Sequence, residues 1–242
     1  MRPLLILKMG DTLPEVFARR GDYDAWIRPG LALSRLPVEV VCAHRDEPLP
    51  PPESLAGVVV TGSPAMVSAR EAWSERSGAW LARAVAADTW ILGICYGHQL
   101  LAHALGGRVG PNPRGRQIGT IAVRLDAQGD PLMGGLPEEL VVQATHVEVV
   151  REFPEAAVRL GANTMDPNAA FRLGARAWGV QFHPEFDADI MRGYIRGRSG
   201  LIAEEGGDPS ALEAACRDSS HGTALLARFG ELVESAEAEA AG

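Results

Sequence analysis

Short apolar runs alternate with longer stretches of mixed polarity through the first hundred residues of the chain. Such runs, bounded by turn residues, predict buried β-strands. We predict strands at Leu4–Leu7, Val38–Cys42, Val58–Thr61 and Trp90–Ile94. A helix is predicted before the last of them, with an apolar face made of Trp73, Trp80, Leu81, Ala84 and Val85. Strands that alternate with helices indicate a parallel sheet in an α/β fold.

The pattern changes after Gly106, because strand-like segments then follow one another with few helical patterns between them. We predict strands at Ile118–Leu125, Leu140–Gln143, Val147–Val150, Ala169–Leu173 and Ala177–Gln181. This half therefore adds antiparallel or mixed strands. The complete prediction is an open, mostly parallel, flavodoxin-like sheet flanked by helices, with added antiparallel strands and a C-terminal helix.

Three segments are interpreted as loops. Glu47–Glu53 is rich in proline, and Gly110–Gly115 combines glycine with proline, so both interrupt regular structure. The Gly10–Gly30 stretch is interpreted as a surface loop, and a lid close to the functional site is the alternative.

The chain beyond Gly206 is rich in alanine and glutamate. Apolar residues recur there at helical spacing, at Leu225, Leu226, Phe229, Leu232 and Val233. This spacing predicts a C-terminal helix that packs on the core and frays from about Glu234. We divide the chain into a main domain, residues 1–200, and a helical extension, residues 201–242.

Charge and cysteine content narrow the functional classes. The formal net charge is −8 and the basic residues are scattered, so the chain lacks the basic stripe of a nucleic-acid-binding protein. Three cysteines form neither a disulfide framework nor a paired metal motif. No signal-peptide core or membrane-span-length apolar stretch is present in the sequence. We expect a cytoplasmic protein that binds no membrane, no metal and no cofactor.

The segment from Trp90 to Leu101 carries the clearest chemical signal, because an apolar strand runs into Cys95 and a helix follows at once. Gly93 and Gly97 flank the cysteine, as in a nucleophile elbow, where a side chain at either position would collide with its neighbours. A helix N-terminus favours the reactive thiolate. We therefore predict that Cys95 is a nucleophile, whereas Cys42 and Cys216 are ordinary apolar residues.

A thiol nucleophile needs an oriented histidine as its base. His183 is the best candidate, because it ends an apolar strand just before Pro184, and Glu185 can accept a hydrogen bond from its ring. His98 is interpreted as a residue that helps the helix to start. No supporting pattern surrounds the other histidines considered, His44, His103 and His221.

The oxyanion formed during attack on a carbonyl requires hydrogen-bond donors. The backbone amide of Tyr96 is one candidate, because it lies at the helix start just after the cysteine. A second is the tight turn Thr61-Gly62-Ser63-Pro64, which follows a predicted strand.

With these segments together, the chain resembles the class I, triad-type glutamine amidotransferases, and specifically stand-alone members similar to the glutaminase domain of GMP synthetase. The resemblance is carried by Gly93-Ile94-Cys95-Tyr96-Gly97-His98-Gln99 and by Gln181-Phe182-His183-Pro184-Glu185, and His183 lies 88 positions after Cys95. It covers residues 2–197, and it would make residues 1–200 a class I glutamine amidotransferase domain.

The resemblance implies a Cys95 thioester, with His183 as base and then acid and Glu185 orienting it. It also implies that the amides of Ser63 and Tyr96 form the oxyanion hole. The implied substrate-binding residues are Gly62, Gln99, Thr145, His146 and Val147. The last three begin the segment Thr145-His146-Val147-Glu148, which corresponds in the family to the segment that holds the amino-acid end of glutamine. Ser63 and Val147 replace residues that are commonly glycine in this family, which predicts a less mobile amide and a narrower pocket.

Three functions remain open. The first is a glutaminase that releases ammonia to a separate synthetase subunit, because no nucleotide-binding loop follows residue 185. The second is a γ-glutamyl peptidase that acts on peptides or conjugates. The third is a non-catalytic regulatory or binding subunit with the same fold, although Cys95, His183 and Glu185 are all present.

Overall fold

The computed structural model describes residues 1–241. The strands are β1 (Leu4–Lys8), β2 (Val38–Cys42), β3 (Gly57–Val60), β4 (Trp90–Ile94), β5 (Arg108–Pro111), β6 (Gln117–Leu125), β7 (Glu139–His146), β8 (Glu148–Glu152), β9 (Ala157–Ala162), β10 (Ala170–Leu173) and β11 (Ala177–Val180). The helices are α1 (Pro14–Arg20), α2 (Tyr23–Gly30), α3 (Ala72–Ala86), α4 (Tyr96–Ala104), α5 (Ala188–Gly197), α6 (Ser199–Glu204), α7 (Pro209–Ala215) and α8 (His221–Ala241).

The main sheet has the order β2-β1-β3-β4-β11-β10-β9-β6-β7. Its first five strands are mutually parallel, and the pairs from β11 to β7 are antiparallel. Strands β5 and β8 form a small separate sheet. The predicted mostly parallel α/β fold with added antiparallel strands is thereby confirmed.

Alternate residues of the central strands supply two buried layers, one on each face of the sheet. In β1, Leu4 and Ile6 belong to one apolar cluster, whereas Leu5 and Leu7 belong to the other. Because helices cover both faces, every residue of β1 is buried, as expected for a parallel strand. The predicted helix is α3, and Trp80 on its apolar face packs into the cluster that contains Leu5 and Leu7.

The Gly10–Gly30 stretch is not a surface loop, because it contains α1 and α2. Asp22 caps α2, where its carboxylate accepts a hydrogen bond from the amide of Tyr23, and Trp26 and Ile27 are buried. The two helices have seven and eight residues, so tertiary packing rather than a long periodic pattern stabilises them.

The C-terminal helix also differs from the prediction, because α8 does not fray at Glu234. The Glu234 carboxylate accepts hydrogen bonds from the amides of residues 34–36 at 2.6–3.1 Å. Glu237 is bound by the guanidinium and the amide of Arg2 at 2.7–3.0 Å. These contacts fix the last turns of α8 to the start of the chain.

The division at residue 200 stays a prediction, and its final residue, 242, lies outside the described residues. Ile202 and Phe229 share the apolar cluster of Leu4 and Ile6, so the extension packs on the main body. The predicted loop Gly110–Gly115 overlaps the end of β5. Strand β5 pairs with β8, which is distant in the sequence. No helix within residues 1–241 has the length and apolar character needed to cross a membrane.

Candidate active site

Cys95 forms the sharp turn between β4 and α4. Its backbone has φ 50° and ψ −97°, a conformation that non-glycine residues rarely adopt. The amide of Cys95 donates to the Val180 carbonyl at 2.8 Å, and the amide of Gln99 donates to the Cys95 carbonyl at 3.1 Å. The strained residue is therefore held from both sides, by β11 and by the first turn of α4.

Glycine is required on both sides of this turn. A Cβ at Gly93 would lie 2.6 Å from the backbone of Gly97, and a Cβ at Gly97 would lie 2.5 Å from the carbonyl oxygen of Val60 in β3. The close packing of α4 against β3 and β4 thus depends on two missing side chains.

His183 lies beyond the end of β11, which is the parallel neighbour of β4, so the two strands bring His183 and Cys95 to the same sheet edge. The amide of His183 donates to the Gln143 carbonyl at 2.8 Å. Its ring Nδ1 donates to Glu185 Oε1 at 2.7 Å, and both side chains are buried. The ring of Phe186 stacks on the imidazole with 4.1 Å between the ring centroids.

The electrostatic surroundings of His183 favour its protonated form. Burial alone would lower the pKa of His183, but the charges of Glu185 and Cys95 and hydrogen bonds to both raise it to about 10. Glu185 and Cys95 thus stabilise a proton on the imidazole.

The turn Thr61-Gly62-Ser63-Pro64 packs against this histidine. A Cβ at Gly62 would lie 2.7 Å from His183 Cε1, so glycine permits the approach. The hydroxyl of Ser63 accepts a hydrogen bond from the amide of Ala65 at 3.1 Å. That contact braces the turn from within.

A cavity of about 220 Å³ opens at Cys95. Its lining includes these predicted site residues: Ser63, Tyr96, Gln99, Thr145, His146 and Val147. Tyr96 begins α4, where the first amides of a helix have no partner within the helix. His183, Glu185 and Gly62 do not line this cavity, and both His183 and Glu185 are buried.

Gln99 and Thr145 line the cavity and contact Cys95. The Gln99 amide nitrogen donates to the Glu148 carbonyl at 2.7 Å and to Gln181 Oε1 at 3.0 Å. The carbonyl oxygen of Thr145 lies 3.9 Å from Cys95 Sγ. Both residues are buried, so their positions are fixed before any substrate arrives.

Both ring nitrogens of His146 have polar neighbours. Its Nδ1 donates to the Glu148 carbonyl at 3.0 Å, and its Nε2 lies 3.1 Å from Gln117 Oε1. Burial lowers the pKa of His146 to about 4, and the charge of His183 adds to this effect. His146 is therefore neutral at pH 7.

Several lining residues were not predicted as site residues. They are Pro64, Ala65, Met66, Arg116, Arg198 and Leu201. The carboxylate of Glu148 accepts hydrogen bonds from the hydroxyl and the amide of Ser68. Glu148 also lines the cavity and belongs to the segment Thr145-His146-Val147-Glu148 that the family resemblance marks. Arg116 and Arg198, in contrast, reach the cavity through tertiary packing.

Helix α2 of the Gly10–Gly30 stretch also borders the site. The ring of Tyr23 lies nearly parallel to that of His183, with 6.2 Å between centroids, and its hydroxyl lies 2.8 Å from that of Tyr194. In contrast, His98 is fully buried and packs on Phe171. Burial lowers the pKa of His98 to about 3, so it is neutral at physiological pH.

The other cysteines and histidines have structural surroundings. Cys42 is half-buried in β2, and Cys216 is buried just after α7. His44 contacts Asp11, His103 contacts Glu75, and His221 accepts a hydrogen bond from the Val141 amide. Residues 1–241 contain no group of three or more His, Cys, Asp or Glu side chains that could hold a metal ion.

Comparisons with known proteins identify relatives of this chain. The family described as Glutamine amidotransferase class-I matches residues 23–195. One subunit of a glutamine-hydrolysing GMP synthase from Archaeoglobus fulgidus is 30% identical over 169 residues, covering 67% of this chain and 87% of that protein. A glutamine-hydrolysing GMP synthase from Aeropyrum pernix is 39% identical over 130 residues, covering 54% of this chain.

Coverage and fold complete the comparison. The chain spans 24% of the length of the Aeropyrum protein and 26% of a glutamine-hydrolysing GMP synthase from Porphyromonas gingivalis. A solved glutamine amidotransferase from Thermotoga maritima superimposes with a TM-score of 0.73 at 20% identity, covering 96% of this chain and 98% of that one. The two proteins share a fold.

Proposed function

Because the chain belongs to the class I glutamine amidotransferase family, we propose that it hydrolyses a γ-glutamyl amide, with glutamine as the first substrate to test. The observation that carries this proposal is the cavity at Cys95, backed by the buried His183–Glu185 pair. A strained cysteine, a histidine and a buried carboxylate are the parts that covalent acyl transfer requires.

In the proposed mechanism, His183 takes the proton of the Cys95 thiol, and Cys95 Sγ attacks the γ-carbonyl carbon. A carbon–sulfur bond forms, and the carbonyl π electron pair moves to oxygen. The intermediate collapses, the carbon–nitrogen bond breaks, and the leaving nitrogen takes a proton from His183. Ammonia leaves when the substrate is glutamine. His183 then removes a proton from a water molecule, and the water oxygen attacks the thioester carbon. The carbon–sulfur bond breaks, which releases glutamate and frees the Cys95 sulfur.

Glu185 orients His183 in this scheme, because its carboxylate occupies Nδ1 and leaves Nε2 for the sulfur and the leaving group. The amides of Tyr96 and Ser63 are proposed as the oxyanion donors. Gly62, Gln99, Thr145, His146 and Val147 are proposed to hold the glutamyl part, as the family resemblance implies.

One observation favours the γ-glutamyl peptidase alternative. A second cavity of about 610 Å³ adjoins the catalytic one and shares Arg116 and Val147 with it. This space would receive the remainder of a γ-glutamyl peptide or conjugate that is larger than glutamine. Hydrolysis assays with glutamine and with a γ-glutamyl dipeptide, run side by side, separate the two functions by their kcat/KM values.

A separate synthetase subunit is the partner that the glutaminase function would need. Similarity to a protein named as one subunit of GMP synthase supports this proposal. Such a partner should raise the rate of glutamine hydrolysis when it is added. An unchanged rate, together with preference for a dipeptide, would contradict ammonia transfer.

The direct test of the proposal is a Cys95→Ala variant assayed with the full γ-glutamyl panel. We expect turnover to fall to background while the thermal unfolding midpoint changes little, because the substitution removes one sulfur atom. Cys42→Ala is the matched control and should retain full activity, since Cys42 lies in the edge strand β2. Turnover in Cys95→Ala equal to that of the wild type would refute the mechanism. Absence of turnover in the wild type would favour the non-catalytic binding subunit.

A further inference from the structure

We propose that Arg198 is a specificity-determining residue that binds the free α-carboxylate of the γ-glutamyl substrate. This inference rests on the proposed function and adds to it the chemical group that selects the substrate. Arg198 follows α5 and lines the catalytic cavity.

Thr145 links Arg198 to the nucleophile. Arg198 Nη1 donates a hydrogen bond to Thr145 Oγ1 at 3.0 Å, and the carbonyl oxygen of the same Thr145 lies 3.9 Å from Cys95 Sγ. In a γ-glutamyl group, four carbon–carbon bonds of about 1.5 Å separate the reacting carbonyl carbon from the α-carboxylate carbon. The two carbons are thus at most about 5 Å apart. This distance is compatible with a carbonyl carbon at Cys95 and an α-carboxylate at Arg198, because both residues contact Thr145.

The guanidinium of Arg198 differs from that of Arg116, the other arginine of the cavity. Arg116 is bound by both carboxylate oxygens of Glu205, at 2.8 and 2.9 Å. Among residues 1–241, no carboxylate oxygen lies within 4.0 Å of the Arg198 guanidinium. A half-buried cation without an anionic partner is a site at which an anionic ligand gains the most.

Arg198 is also held in place before substrate binds. Its guanidinium carbon lies 5.4 Å from the centroid of the Tyr194 ring, and the buried Tyr194 hydroxyl contacts the hydroxyls of Tyr23 and Thr12. A fixed cation loses little conformational entropy when a carboxylate binds.

The opposite charge is present in the same cavity. The buried carboxylate of Glu148 is fixed by Ser68 and lines the cavity together with Arg198. One anion and one cation match the α-ammonium and α-carboxylate groups of a free γ-glutamyl amino acid. The cavity therefore selects substrates whose α-carboxylate is free, and a glutaminyl residue inside a peptide chain lacks that group.

The experiment compares wild type, Arg198→Gln and the matched control Arg196→Gln. Arg196 lies on α5, is exposed and pairs with Glu213, so the control removes the same charge away from the cavity. Steady-state kinetics use the best γ-glutamyl substrate and its α-carboxamide analogue. For Arg198→Gln we expect KM to rise about 10- to 100-fold with a much smaller change in kcat, because a charged hydrogen bond in substrate binding is lost.

The α-carboxamide supplies a readout that a merely structural role would not affect. Wild type should prefer the free carboxylate, whereas Arg198→Gln should lose that preference, and Arg198→Lys should recover part of it. An unchanged KM and an unchanged preference in a folded Arg198→Gln protein would overturn the inference. If Arg198→Gln does not fold, Arg198→Lys with wild-type KM and preference for both substrates would overturn it instead.

Calorimetric binding separates this inference from the proposed function. L-Glutamine and a γ-glutamyl dipeptide are titrated into Cys95→Ala and into Cys95→Ala/Arg198→Gln. Weaker binding by about tenfold or more in the double variant supports the Arg198 site even if the wild type turns over neither compound, in which case only the proposed function fails. Equal binding in both variants, or no binding to either, contradicts the Arg198 site.

Discussion

Phe186 stacks on the His183 ring at an interplanar angle of 19°, and Glu185 accepts a hydrogen bond from the edge of that ring. Cys95 has a positive φ, and hydrogen bonds with β11 and α4 hold it in this conformation. Cys95, His183 and Glu185 could be predicted from the sequence because their signals are local, in the glycines around Cys95 and in Pro184. Phe186 was not predicted. Arg198 was not predicted either, because no local pattern marks a side chain that tertiary packing brings to the cavity.

Replacing Gly97 by alanine should destabilise the protein by about 1–3 kcal/mol, because the new Cβ would lie 2.5 Å from the Val60 carbonyl oxygen in a tightly packed core. Gly200→Ala is the matched control, since Gly200 is also helical and a Cβ there meets no atom within 4 Å. The control should be neutral or more stable by up to about 1 kcal/mol. Urea denaturation measures both, and equal stabilities would contradict the packing argument.

Glu185→Gln should move the alkaline limit of activity to lower pH. The carboxylate raises the pKa of His183 by stabilising its protonated form, so its loss lowers that pKa and the proton leaves at lower pH. The pH profile of kcat/KM measures the shift, and Glu231→Gln, on an exposed surface pair, is the control. An alkaline limit that stays in place in Glu185→Gln would show that Glu185 does not act on His183.

Among the secondary-structure elements, helices α1 and α2 could not be predicted from the pattern of apolar residues. Each is too short to give a sustained period, and Asp22 caps α2 while also accepting hydrogen bonds from Lys8 and from the amide of Thr12. These partners come from two different segments, so their convergence is a tertiary property. The buried strands were predicted because burial on both faces leaves a continuous apolar run.

Asp22→Ala should destabilise the protein by about 2–4 kcal/mol, because it removes both the cap of α2 and the closest partner of the buried Lys8 ammonium, at 2.7 Å. Burial opposes the charge on Lys8, yet hydrogen bonds and charges from Asp22 and its neighbours raise the pKa of Lys8 to about 12. Asp24→Ala, which removes a more exposed and more distant partner, should have a smaller effect. Thermal and urea unfolding measure the stability of both variants. An equal loss of stability in Asp22→Ala and Asp24→Ala would contradict the larger role of Asp22.

At the scale of the whole molecule, α8 joins the two ends of the chain. Its apolar residues pack into the main core, and its acidic residues bind the N-terminal segment through Arg2 and the amides of residues 34–36. Helical spacing predicted the helix and its packing. Helical spacing did not predict that the end of α8 is ordered, because it does not show which distant hydrogen-bond donors Glu234 and Glu237 will meet.

Acid should weaken this connection. Burial would raise the pKa of Glu234, but hydrogen bonds from residues 34–36 lower it overall, and the Arg2 contacts lower that of Glu237. A pKa that is lower in the folded state stabilises the protein above the unfolded value of 4.5, and that stability is lost as pH falls. Wild type should therefore lose more stability between about pH 6 and pH 3 than Glu234→Gln/Glu237→Gln. Parallel pH dependences in chemical denaturation would contradict this account.

Labelling with a glutamine-analogue electrophile, followed by intact-protein and peptide mass spectrometry, shows whether Cys95 is the nucleophile of a γ-glutamyl site. We expect one covalent adduct per chain, located on Cys95, slowed by competing γ-glutamyl substrate and absent from Cys95→Ala. Under saturating reagent, an unmodified Cys95, or labelling of Cys42 or Cys216 at the same rate as Cys95, would contradict this role of Cys95.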